Sequence, residues 1–138
     1  DRVRLNRIAD SNRPTDKFPL GRLNFIGKHC YAYSGIMGIN QNETTMLEVV
    51  TGNDYIVSEI QFNNSEEDDV EDFRHRIYLN NTIVQAYIQG RTDYDNKYEH
   101  KIRIIIPPFT TVKLTCENIS NTETHEQIVT LTGEVYDS

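Results

Sequence analysis

The chain is predicted to be all-β: a single eight-stranded antiparallel jelly-roll sandwich with an extended N-terminal arm. Three observations lead there. Apolar and polar residues alternate with period two through most of the chain after residue 29. The alternating segments are separated by Asn-, Gly- and Pro-rich turns. No helical period of useful length occurs, and 138 residues suit one domain.

The arm is residues 1–28. It lacks a consistent period, Pro14 and Pro19 break any helix, and Gly21 and Gly27 punctuate it further. It carries seven Lys/Arg against three Asp/Glu, a net of +4, whereas residues 29–138 carry seven against eighteen, a net of −11. Leu5, Ile8, Phe18, Leu20, Leu23, Phe25 and Ile26 are too many apolar anchors for a solvated tail. An ordered strap lying on a surface, its own or a neighbour's, is expected.

The sandwich is residues 29–138. CYAYSGIMGI from Cys30 alternates loosely and TTMLEVV over 44–50 is a Thr/Val-rich run. YIVSEIQF over 55–62 sets Ile56, Ile60 and Phe62 on one face. FRHRIYL over 73–79 sets Phe73, His75, Ile77 and Leu79 opposite Arg74, Arg76 and Tyr78. TIVQAYIQ follows at 82–89, then KIRIIIPPF, TTVKLTCE and EQIVTLTGEVY. Asn80-Asn81 is the sharpest hairpin signal, because Asn tolerates the left-handed backbone that a two-residue turn requires. Pro107-Pro108 ends a strand, since proline donates nothing to a ladder. Eight such strands in one domain favour a jelly roll. An immunoglobulin sandwich is disfavoured, because its Cys…Trp…Cys spacing needs a Trp and the chain has none.

Catalytic and metal signatures are missing. His29, His75, His100 and His125 form neither His-x-His nor His-Glu-x-x-His, and the paired His and Glu of a cupin are absent. His75 reads as a core histidine. His29 and Cys30 are adjacent, so an extended strand points them to opposite faces and they make no thiolate–imidazole pair. Cys116 alternates with Val112 and Leu114 on an inward face and reads as a buried thiol. The acidic run Glu66, Glu67, Asp68, Asp69, Glu71 and Asp72 lacks the spacing of a calcium loop and reads as a solvated connection, and Asp93 and Asp95 are a weaker patch. Asn-x-Ser/Thr matches at Asn42, Asn63, Asn80 and Asn118 read as turns. No enzyme activity and no cofactor are expected. No apolar run approaches the ~18 residues of a membrane span. The charges after Asp1 lead into no apolar stretch of a secretory signal, and a segment before Asp1 is compatible with the sequence.

What remains is assembly. The candidate partner-binding residues are Arg2, Arg4, Arg7, Arg13, Lys17, Phe18, Arg22 and Phe25 of the arm. Nucleic acid is disfavoured because the cations, with Lys28, are spread thinly and the body is acidic. Tyr31, Tyr33, Tyr55, Tyr78, Tyr87 and Tyr136 fall on or near strands, and tyrosine suits interfaces.

IIIPPFTTVKLTCENI and the later IVTLTGEVY, with CYAYSG, TTMLEVVTG and YIVSEIQF before them, resemble small virion proteins of tailed bacteriophages and aquatic viruses. The resemblance is to single jelly-roll capsid decoration or cement proteins, and covers about residues 30 to 136. It implies a non-enzymatic capsid-surface protein, a homo-oligomer (dimer or trimer) bound to the major capsid protein or neighbouring subunits, with the arm as a clamp. The alternatives are a carbohydrate- or receptor-binding jelly roll using Tyr94, Tyr98 and Phe109, a trimeric signalling domain of the tumour-necrosis-factor type, and a cupin-like enzyme.

Overall fold

The computed structural model describes residues 21–64, 72–89, 101–120 and 122–137. Ten strands run in chain order: β1 Asn24–Ile26, β2 His29–Tyr33, β3 Met37–Ile39, β4 Thr44–Val50, β5 Asp54–Asn64, β6 Phe73–Leu79, β7 Thr82–Gln89, β8 Lys101–Ile106, β9 Thr111–Asn118 and β10 His125–Asp137. No helix occurs among the described residues. One sheet has the order β1-β2-β10-β5-β8, with β3 also paired to β10; the other has the order β4-β9-β6-β7. Every pairing is antiparallel. The two sheets share one apolar core, to which Ile56, Ile60, Phe62, Val129 and Leu131 contribute from the first and Phe73, Ile77, Val112, Leu114 and Cys116 from the second.

The count of eight is corrected to ten. The segment read as one strand from Cys30 is two, because Gly35 takes a φ of 74° between β2 and β3. The tenth strand, β1, lies inside the stretch read as arm. Gly27 at φ 58° turns β1 back on β2, so that Phe25 faces Cys30. Leu23 and Phe25 are buried in the core, and residues 21–28 are thus part of the sandwich. Residues 1–20 lie outside the described residues.

Elsewhere the alternation matches the burial. Ile56, Ile60 and Phe62 point inward, as do Phe73, His75 and Ile77, while Arg74, Arg76 and Tyr78 point out. Asn80 and Asn81 both take left-handed backbone, φ 51° and 68°, as a type I′ hairpin turn requires. β8 ends at Ile106, immediately before Pro107. The prolines close the ladder because they lack the N–H the next rung needs.

Local irregularities shape both sheets. Gly133 of β10 sits so close to β5 that a Cβ there would lie 2.7 Å from the Val57 carbonyl oxygen. The second sheet has two bulges. One falls between Thr45 and Leu47 of β4. The other skips Val84 of β7, opposite the step from Ile77 to Tyr78.

Candidate protein-interaction surfaces

The outward face of the second sheet is closed by a polar network. Arg76 reaches Glu117 at 2.8 Å and Glu43 at 3.0 Å. Tyr78 Oη donates to Glu43 at 2.6 Å and Thr115 Oγ1 donates to the same carboxylate at 2.7 Å. Partial burial opposes ionisation of Glu43, but these hydroxyls and the Arg76 charge outweigh it and hold the carboxyl below its ordinary range. The Lys113 ammonium lies 4.4 Å from the Tyr78 ring centroid, a cation–π contact. This face satisfies itself and offers a partner little.

The outward face of the first sheet differs at one end. Tyr136 stands opposite Tyr55, and Val57 opposite Ile105. All four are exposed. Just past that end lies the turn Pro107–Thr110 between β8 and β9. Its Phe109 is 72% exposed and has a φ of 55°. A bulky side chain on left-handed backbone costs about 1–2 kcal/mol, so something must hold it there. The connection between β4 and β5 does so. Phe109 N–H donates to the Gly52 carbonyl at 2.7 Å, and buried Thr51 donates Oγ1 to the Pro107 carbonyl at 2.8 Å. Thr110 N–H donates to Thr51 Oγ1 at 2.9 Å. The result is a rigid aromatic tip beside an apolar patch.

The chain enters the sandwich at the other end of this sheet, where Gly21 N–H donates to the Tyr33 carbonyl at 3.0 Å. Of the expected partner-binding residues, Arg2, Arg4, Arg7, Arg13, Lys17 and Phe18 lie outside the described residues. Arg22 is exposed and Phe25 is buried in its own core. Tyr94 and Tyr98 also lie outside them, as does the acidic run except Asp72.

A third surface is β7. Its Ile83, Val84 and Ile88 are 49%, 44% and 53% exposed. Sequence reasoning took this segment as an ordinary strand; its lack of any charge over eight residues was the available signal.

Three chemistry-bearing side chains, Cys30, Cys116 and His75, lie in the core. Cys30 and Cys116 are free, buried thiols, and burial pushes the Cys30 thiol up to about 12 and Cys116 further up. His75 is buried, stacked on Phe62, while the neighbouring His29 and Cys30 point to opposite faces. Among the described residues, no three His, Cys, Asp or Glu gather as a metal site, and no helix is long and apolar enough to cross a membrane.

No protein-family model matches the chain, and no curated protein matches its sequence.

Proposed function

We propose that this chain is a jelly-roll virion structural protein of the capsid decoration or cement type, and not an enzyme. It would sit on the capsid surface, against the major capsid protein or neighbouring subunits. For the jelly roll, the support is strand order. With the short β1 and β3 set aside, the remaining eight strands run first-eighth-third-sixth in one sheet and second-seventh-fourth-fifth in the other. That interleaving is what two nested Greek keys produce.

Fold alone does not assign function, so the assembly reading rests on the surface. The observation that carries it is the end formed by Phe109, Tyr55, Val57, Ile105 and Tyr136. A strained, hydrogen-bonded turn presenting an exposed aromatic beside an apolar patch is the anatomy of a docking anchor. The basic arm enters at the opposite end, which suits a subunit held to its neighbours at both ends.

The test is to purify virus particles from the source of this gene and quantify their proteins by mass spectrometry. The chain is expected in fixed stoichiometry with the major shell protein, and its absence from intact particles would refute the reading. Exposed Phe109 also favours a second reading, a carbohydrate- or receptor-binding module, for which aromatic platforms are typical. A glycan array probed with the purified chain separates the two, since a cement protein is expected to give no hits.

A further inference from the structure

We propose that β7 is the interface through which two copies of this chain pair, edge to edge and antiparallel, about a two-fold axis. An open sheet edge is a row of unpaired backbone donors and acceptors, and proteins normally guard it with short strands, charges, prolines or bulges. Among the described residues five strands pair on one side only, and four of them follow that rule. β1 and β3 have only three residues each. β8 exposes Lys101 and Arg103 and runs into Pro107. β4 has its bulge at Met46 and exposes Glu48.

β7 departs from it. Its eight residues, TIVQAYIQ, contain no charge, no proline and no glycine. β6 is the only strand it pairs with among the described residues. Its single bulge, at Val84, leaves Gln85–Gln89 in regular register with β6. Along that stretch Ala86 and Ile88 stand beside Arg76 and Arg74, on the outward face.

The charges point to the occupant. Antiparallel pairing of identical strands about a two-fold brings like residues near one another, which is unfavourable for a charged strand and harmless for a neutral one. The next row inward is also compensated, since Arg76 pairs with Glu117 and Glu43, and Arg74 lies 3.7 Å from Glu117. Among the described residues of β6 and β7 a second copy therefore meets no uncompensated charge, although the chain as a whole carries −7. A charged peptide would find nothing of opposite sign on the strand. An axis beside Tyr87 sets Ala86 opposite the second copy's Ile88 and continues the second sheet across both molecules as eight strands. A strip one strand long is smaller than the roughly 800 Å² per partner of a standard interface, so a reversible dimer is expected.

This names the interface of the homo-oligomer in the assembly reading, but its test needs no virus particle, so the two can fail separately. Sedimentation of the full chain from about 1 μM to about 500 μM is expected to show a monomer–dimer equilibrium in the micromolar range. Ile88→Lys and, independently, Ala86→Lys are expected to weaken association at least tenfold with far-UV dichroism unchanged, while the urea midpoint falls only slightly, because each lysine stands across from Arg74 or Arg76. Val50→Lys, 61% exposed on β4 at the opposite edge of the same sheet, should leave it intact. A chain monomeric throughout, a trimer, or a dimer that survives both β7 substitutions would overturn the proposal.

Discussion

The His75 ring, on β6, stacks on Phe62, on β5, with ring centroids 4.1 Å apart and planes tilted by 30°. The pair joins the two sheets at the centre of the core, and both side chains are fully buried. Tyr87 of β7 packs against the same histidine, with centroids 5.0 Å apart. Phe62→Ala would remove one ring of this stack and leave a cavity between sheets. The expected loss is about 3–5 kcal/mol in urea unfolding, with Phe62→Leu costing well under half of that.

Gly133 has no room for a side chain. Its added Cβ would also lie 2.9 Å from Ile56 Cγ2 and 3.1 Å from Ser58 Cα, and the backbone of a central strand cannot move aside for it alone. Gly133→Ala should therefore destabilise by about 1–3 kcal/mol, contrary to the usual gain from replacing glycine in a strand. Thermal unfolding followed by dichroism reads this directly.

Removing the arm has two expected outcomes depending on where the cut falls. Deletion of residues 1–20 should leave a folded β domain; if the proposed assembly holds, its attachment to the shell becomes weaker and less salt-sensitive, since exposed charge pairs are screened within about 10 Å at 0.1 M. Deletion of residues 1–28 removes buried Leu23 and Phe25 as well. It should cost several kcal/mol, on the scale of about 2–5 for each large apolar side chain lost. Urea denaturation of both truncations distinguishes strap from sheet.

Acid should loosen the outward network of the second sheet. Glu43 titrates lower in the folded chain than its ordinary 4.5, so it binds protons more readily when unfolded. Its contribution is in place above that value and is lost as the pH falls through the lower, folded one. Glu43→Gln is expected to cost about 1 kcal/mol at neutral pH, in keeping with a partly exposed charge cluster. It should also flatten the decline of the urea midpoint between neutral pH and the acid limb.

Phe109 should be dispensable for stability. Asn accepts left-handed backbone better than Phe, so Phe109→Asn is expected to raise stability by up to about 1 kcal/mol. If the tip is an anchor, the same variant loses attachment to the partner, as a binding assay with particles lacking the protein would show.

Much of the sandwich was legible because period two is a strong signal wherever one face of a strand is buried. Phe73 to Leu79 shows it most plainly, and Asn80-Asn81 marks the turn after it. β1 and β3 were not legible, since three residues are too few to display a period, and Gly27 read as a breaker rather than as a hairpin turn. The strand order could not be read either, because it depends on which faces meet across the core. Of the surfaces, Tyr55, Tyr136 and Phe109 were visible as residues. Their gathering at one end depends on the register of β5, β8 and β10, which no local pattern encodes.

The position of β10 sets a condition on how this protein is made. It is the strand synthesised after the nine others, yet it lies between β2 and β5 and pairs along nearly its whole length with β5. Until it leaves the ribosome, β2 and β5 have no common neighbour, and the first sheet can exist only as separate pieces, β1 with β2 and β5 with β8. The first sheet must wait until β10 has emerged and then close long loops, which makes its folding slow and leaves apolar strands uncovered in the interval.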